Sequence, residues 1–450
     1  MLSMTPGNSV SSDIVVVGAG GCGLAAALAA AEKGASVLVL EKSDKPGGGT
    51  ALSSRSLRAA GTRFQRAEGI KDEPARYAEE ILQRNQGQSD PDLTKRLAEE
   101  SSRVVERLAD IAGIDFQIRK YAFGHGADRS HSWKADRTII DFMMDAVRRH
   151  ANICLRFSTP VVRLKIEPDG SVGGVITEQE MIAARRVILA TGGFAASRKL
   201  LEQYIPKAAN IPFPGHFGST GDGLKMAQEA GAVLENMGAF QPFPTFIASH
   251  KLEVPTNIAM MGAIVVDGKG KRFANESHYP GGLGAKMLEL PGKQAFEVFD
   301  ERIYKGLEAG LAPVVAAGLL KKADNARDLA GQLGADPMGL EETIRDYNNN
   351  AGGKDAFGRA VSTPLGVPLY GVKVWVAMFH TQGGFQVNSD AQVLRADGSV
   401  IPNLYAGGGV ATGVSGPGPE GYLPGNGQLA SLGLGRIAGR HAVASLAHSR

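Results

Sequence analysis

Cysteine is nearly absent from this chain. Cys22 and Cys154 are the two among 450 residues, and neither belongs to a CxxC or Cys/His cluster. A disulfide framework is therefore excluded, and no metal site is expected. The CxxCH haem signature and the iron–sulfur cysteine spacings are missing as well. An excess of one charge is also lacking: 49 Lys and Arg stand against 46 Asp and Glu, a formal net charge of +3, so nothing points to a nucleic-acid partner. No stretch approaches about 18 uninterrupted apolar residues, so no membrane span is expected. The first ten residues, MLSMTPGNSV, lack the basic and apolar regions of a secretory signal, which makes cytoplasmic the expected location.

What is present points to a large, well-packed α/β protein. Hydrophobic residues make up 43% and charged residues 21%, enough for a sizeable core. A chain of 450 residues suits two or three domains. The 59 glycines imply many tight turns and many places where backbone approaches a ligand closely.

Residues 13–41 read DIVVVGAGGCGLAAALAAAEKGASVLVLE. The short β-branched run at 14–17 suits a buried parallel strand. Gly18, Gly20 and Gly23 then form G-x-G-x-x-G, an Ala/Leu-rich helix follows to about Lys33, and a second apolar strand ends at Glu41. Gly18 permits the tight turn, Gly20 lets backbone approach a pyrophosphate, and Gly23 lets helix and strand pack closely. The helix N-terminus offers free N–H groups and a positive dipole to the phosphates. Glu41, 23 residues after Gly18, is placed to accept ribose hydroxyls. These parts occur in the order that dinucleotide binding needs, but they do not separate FAD from NAD.

The following segment, KSDKPGGGTALSSRSLRAAGT at 42–62, resembles the loop after the acidic residue in the fumarate reductase/succinate dehydrogenase flavoprotein superfamily. Gly47, Gly48 and Thr50 match that family's pattern, while Gly49 replaces its usual Asn. VILATGGF at 187–194, GxRFxNE at 270–276 and LYAGG…GN…GRIAG towards the C-terminus are further matches, so the resemblance spans 13–62, 157–231 and 262–442. It implies an α/β architecture: a Rossmann-like FAD domain of the two-dinucleotide-binding type with an inserted α+β substrate-cap domain. The expected boundaries are 10–238 and 370–450 for the FAD domain and 239–369 for the cap. It also implies FAD contacts from Lys42, Ala51 and Ser53, from the strand at Val162, from Thr191, Gly192 and Gly193, and from Asp222. Gly408 and the final helix start at Gly425, Asn426, Gln428 and Leu429 complete the set. Thr220 and Asp222 are expected chiefly as helix caps. Gly409 departs from the acidic residue usual after LYAAG. No His occurs in ALSSRS, so the flavin is not expected to be covalent.

The fumarate-reducing members bind a dicarboxylate with residues that this chain has mostly lost. Phe243 in QPFPT stands where their carboxylate-binding His would be. Pro280, with Tyr279 just before it, replaces their proton-donating Arg, and Tyr422 in YLPGN replaces a carboxylate-clamping Arg. His380 in HTQGG is kept. A dianion would therefore lack its bidentate cationic partners. Tyr279 and Tyr422 are instead similar to the tyrosines of the 3-ketosteroid dehydrogenases of this superfamily, which implies desaturation beside a ring ketone. In that reading Tyr279 takes the α-proton, Tyr422 polarises the carbonyl with N–H groups near Gly425, His380 orients the substrate, and hydride leaves the β-carbon for flavin N5. Phe243 and Phe246 supply an apolar wall to the pocket. The expected partners are a cyclic ketone or enone and a separate electron acceptor. The competing readings are a C=C reductase or dehydrogenase of a carboxylic acid, a flavin-binding protein without turnover, and an NAD-only dehydrogenase. His125, Arg129 and His131, in GHGADRSHSW, are open between a surface loop and a place near the substrate. Arg272 and Glu276 are expected as a structural pair.

Overall fold

The computed structural model describes residues 12–120, 125–134, 136–278 and 280–447. Two compact units emerge: one of 1–206, 215–240 and 380–450, the other of 207–214 and 241–379. The second unit thus extends ten residues past the expected boundary at 369, because one unbroken strand, Leu369–Thr381, carries the chain to the first unit.

The first unit is built on a parallel sheet. Its central strand β1 (Ser12–Val17) pairs in parallel with β2 (Val37–Leu40) on one side and with β4 (Met181–Leu189) on the other. Strand β3 (Ile153–Arg156) continues the sheet beyond β2, and β5 (Val400–Ala406) continues it beyond β4. Ile14, Val15 and Val16 are fully buried, as a strand covered on both faces demands. Each such side chain stabilises by about 1.5–3 kcal/mol. Helix α1 (Gly21–Ala31) follows β1 and is buried almost all round, which its alanines allow by keeping the helix slim. An antiparallel pair, Val161–Ile166 with Val172–Thr177, feeds into β4.

The segment 72–113 forms two helices, Pro74–Arg84 and α2 (Pro91–Ala112), interrupted between them. The Asp90 side chain caps the second helix by accepting from Leu93 N at 2.7 Å, and Pro91 occupies its first turn. A small antiparallel sheet joins Ser56–Arg58, Ser130–Ser132 and Gln117–Arg119.

The second unit holds an antiparallel sheet in which Gln294–Asp300 pairs with both Leu369–Thr381 and Ile264–Val266. Helices Glu301–Ala316, Ala326–Leu333 and Pro337–Asn349 accompany it. Its buried polar centre is the signature noted in the sequence: Arg272 grips Glu276 through two N–H···O bonds of 2.8 and 2.6 Å. Arg272 also donates to Asp355 at 2.6 Å, and Arg359 donates to Glu276 at 2.8 Å. Every oxygen of Glu276 is engaged, Oε1 also accepting from Val265 N. Among the described residues no helix is long and apolar enough to cross a membrane, and no cluster of metal-ligating side chains occurs.

Candidate active site

Two glycine loops meet at the C-terminal ends of β1 and β2. Gly47 N donates to Ala19 O at 3.1 Å, bringing 47–50 beside the G-x-G-x-x-G turn. Gly18 has φ +109°, and a side chain there would also strike Ala190 O at 2.5 Å. A Cβ on Gly23 would come within 1.8 Å of Gly18 O, so the helix could not sit this close to the strand. Gly20 precedes α1 in extended conformation with no side-chain cap, and the first turn carries no acid. The helix N-terminus therefore keeps free N–H groups for an anion. Glu41 accepts from Ala19 N at 2.8 Å with one oxygen and from Ser43 N at 2.9 Å with the other, leaving lone pairs on both. Thr50 is buried against Gly21, Ala51 lies in the same short 3₁₀ turn, and Ser53 Oγ closes that turn onto Thr50 O.

The chain returns to this unit at His380. Thr381 Oγ1 accepts from Phe194 N at 3.1 Å, which fastens the return to the loop of Thr191, Gly192 and Gly193. Gly408 turns against Cys22 and Ser431. The last helical run then begins at Asn426, passes through a π turn at Leu429–Gly433, and continues as α3 (Leu434–Ala447). π turns of this kind are frequent at functional sites.

Tyr422 lies just before that helical run and is 4% exposed. Burial raises the pKa of its phenol, while the Arg58 charge and the backbone N–H groups of Gly425 and Gly427 act on its oxygen in the opposite sense. With burial the dominant effect, the phenol keeps its own proton. The His380 ring lies 5.9 Å from that of Tyr422, edge to face. A Cβ on Gly427 would strike His380 Cε1 at 2.6 Å, so a glycine here lets the imidazole rest on the helix start. Burial pushes the His380 pKa down to about 4, which makes the ring neutral near pH 7.

Its tautomer follows from a relay of side chains far apart in the sequence. Asn426 Nδ2 donates to Ser415 Oγ at 3.0 Å, Ser415 Oγ donates to Gln382 Oε1 at 3.1 Å, and Gln382 Nε2 donates to His380 Nδ1 at 3.0 Å. With Nδ1 accepting, the proton sits on Nε2. The competing contact from Nδ1 to Thr381 O is longer, 3.4 Å, and loses to the relay.

Other expected residues lie elsewhere or act differently. Asp222 begins the helix Asp222–Gln228, but no side chain caps it, which corrects the capping reading. The Lys42 ammonium draws Asp222 away at 2.7 Å and also donates to Thr220 Oγ1 and Gly218 O. The Val162 side chain is 44% exposed; its strand is tied beside Glu41 through Thr159 N to Glu41 O at 2.9 Å. Phe243 and Phe246 are buried in the second unit with Ala377 and Phe379, the Phe243 and Phe379 rings 5.0 Å apart. Tyr279 lies outside the described residues.

The loop left open at 125–133 is structural. Arg129 is fully buried and paired with Asp72 at 2.8 Å and with Glu80. His131 is held between Thr62 Oγ1 at 2.7 Å and Arg129 O at 2.8 Å, and burial lowers its pKa to about 4. His125 Nε2 meets Pro424 O at 2.8 Å, and burial holds the ring neutral.

Among the buried side-chain oxygens of this unit without a hydrogen-bond partner are Thr191 Oγ1, Asn426 Oδ1 and Gln428 Oε1. Left so they would each cost about 1–3 kcal/mol. They suit a group that brings its own N–H and O–H donors, as the ring and ribityl chain of FAD do. With the uncapped start of α1 and the free lone pairs of Glu41, the residues fit FAD.

The FAD binding domain family matches residues 13–421. The fumarate reductase (cytochrome) of Shewanella frigidimarina is 31% identical over 98% of this chain and 78% of its own length. The NADH:fumarate oxidoreductase of Klebsiella pneumoniae is 31% identical over 96% of this chain, which spans 48% of that protein. Among solved structures, 3-ketosteroid Δ4-(5α)-dehydrogenase from Rhodococcus jostii RHA1, in complex with 4-androstene-3,17-dione, superposes with a TM-score of 0.81 at 26% identity. That match covers 96% of this chain and 97% of the dehydrogenase.

Proposed function

Since the chain belongs to the FAD-binding domain family of the fumarate reductase flavoproteins and is an FAD-dependent oxidoreductase acting on carbon–carbon bonds, we propose that it desaturates a cyclic ketone beside the carbonyl. The observation that carries this reading is Tyr422, a buried protonated phenol just before the helical run, on which the Arg58 charge and the nearby Gly425 and Gly427 backbone act against burial. Its own hydrogen is left for a substrate carbonyl. When bound, FAD supplies the two-electron acceptor for the β-hydride. Tyr422 polarises the ketone and steadies the negative charge that gathers on its oxygen as the α-proton leaves. His380, neutral and protonated on Nε2, offers a second donor without adding a cation. Gln382, Ser415 and Asn426 hold it in that tautomer. Tyr279, beside the RFxNE signature, is assigned the α-proton on sequence grounds. Thr191, Asn426 and Gln428 hold the cofactor, with Gly20 and Glu41 at its phosphates and ribose.

The likeness to a ketosteroid dehydrogenase and the loss of the dicarboxylate clamp support a ketone. The fumarate reductase relatives support the second reading, oxidation or reduction of an acid. Anaerobic mixing of the oxidised holoenzyme with saturated cyclic ketones, 3-ketosteroids and succinate-like acids separates them by which class bleaches the flavin. Bleaching by acids alone would replace the ketone reading with the second.

A further inference from the structure

Arg58 is a partly buried arginine of the first unit that no carboxylate among the described residues faces. It lies on the strand Ser56–Arg58, paired across the small sheet with Ser130. Its Nη1 donates to the hydroxyls of Ser56 and Ser130, the latter at 2.9 Å, and both acceptors are neutral. Among the described residues no carboxylate comes within ion-pair distance of it. Its stem packs on the Gly425 turn: a Cβ on Gly425 would meet Arg58 Cγ at 2.3 Å and Tyr77 Oη at 3.7 Å. Tyr77 is fully buried, and its hydroxyl has no hydrogen-bond partner.

The surroundings leave the charge of Arg58 uncompensated. Arg129 and Arg76 are matched by Asp72 and Glu80, two cations against two carboxylates. His125 is kept neutral, and burial pushes the Tyr77 phenol up to about 12, so neither supplies a negative charge. Arg58 and Arg84 both add to the positive potential at His125. A guanidinium with open donors beside an orphaned buried hydroxyl is costly unless an anion completes it.

We propose that Arg58 and Tyr77 form a carboxylate-binding site at the Gly425 turn, so that the ring ketone also carries a carboxylate. This rests on the ketone reading for the rest of the substrate. Arg58 is not itself one of the positions at which a dicarboxylate-binding side chain has been lost, but it lies near one of them, Tyr422. The site binds one carboxylate: guanidinium N–H groups meet its oxygens, and the Tyr77 hydroxyl donates to one of them. Arg58 is a specificity-determining residue, setting which ketones are held.

The test uses the holoenzyme with two probes, cyclohexanecarboxylate and cyclohexanone, read by calorimetry and flavin difference spectra. The carboxylate should bind saturably and weaken with salt. Arg58→Gln should weaken it by about tenfold or more and Tyr77→Phe by about threefold, given the usual strength of hydrogen bonds to charged groups. Arg58→Lys, the variant kept in case Gln disturbs folding, should retain part of the affinity. Cyclohexanone binding should change less than about twofold, since a neutral ligand gains nothing from the charge. Equal carboxylate affinity in wild type and Arg58→Gln, or no binding to wild type, would overturn the site. So would loss of flavin from Arg58→Gln with carboxylate binding intact, because Arg58 would then serve the cofactor. If carboxylate binding depends on Arg58 but no ketone bleaches the flavin, the site stands and the ketone reading falls. Bleaching by neutral ketones without carboxylate binding does the reverse.

Discussion

Two arginine environments in this molecule differ in one respect. Arg272 in the second unit and Arg129 in the first each face two carboxylates, and Arg359 is matched by Glu276 and two backbone carbonyls. Arg58 has two serine hydroxyls and no carboxylate. A side chain whose donors are all matched within the protein has nothing left for a ligand, and it holds the fold. One left partly unmatched beside Tyr422 is available for recognition. The same division separates the Glu276 oxygens, all engaged, from Thr191 Oγ1, Asn426 Oδ1 and Gln428 Oε1, which wait for donors.

The largest effect should come from opening a matched site. Glu276→Ala strands two buried guanidinium groups and should destabilise by about 3–5 kcal/mol, read as a lower denaturation midpoint or as insoluble protein. A small change would mean that this network is not structural. Next comes Tyr422→Phe, which removes the hydrogen offered to the carbonyl. Flavin reduction by substrate should slow about 10²-fold or more with flavin content and Tm unchanged. A rate within threefold of wild type would remove Tyr422 from the mechanism.

Glu297 probes whether an unmatched buried group must mark a site. It is fully buried with neither oxygen bonded, and burial raises its pKa from 4.5 to about 8. It escapes the cost by staying protonated. Because the folded pKa lies above the unfolded one, its contribution is whole below pH 4.5 and fades as pH rises through about 8. Wild type should therefore lose stability relative to Glu297→Gln across that window, and the two should converge at acid pH. Parallel curves would mean that Glu297 has a partner when folded. The smallest effect on stability is expected where ligand recognition is concerned. Arg58→Met and Tyr77→Phe remove unmatched groups and should leave Tm unchanged or slightly raised; a large drop in either would make that cluster structural.

The parts legible in the sequence were those whose signal is local. Strand, glycines, helix, strand and Glu41 lie within one short stretch, and each glycine's task follows from its spacing. The Arg272–Glu276 pair was legible for the same reason, two opposite charges four residues apart inside one signature. The misread parts depend on distant partners. Asp222 looked like a cap because Asp favours helix starts, but Lys42, 180 residues away, takes its carboxylate. The Gln382–Ser415–Asn426 relay joins Asn426, already expected at the cofactor, to two polar residues that only the fold brings beside it. Arg58 lies in a serine-rich segment, and nothing nearby in sequence announces that no carboxylate faces it. The break between the helices ending at Arg84 and starting at Pro91 has a local signal, Asp90-Pro91, a cap followed by a first-turn proline.

The most direct test of ketone desaturation is anaerobic mixing of the yellow holoenzyme with saturated ring ketones, with and without a carboxylate, in wild type and Tyr422→Phe. The account predicts that wild-type flavin bleaches with the ketones, faster at low concentration for those bearing a carboxylate, and that Tyr422→Phe keeps its colour on the same timescale. Flavin that stays oxidised with every ketone, but is bleached by succinate-like acids, would contradict it.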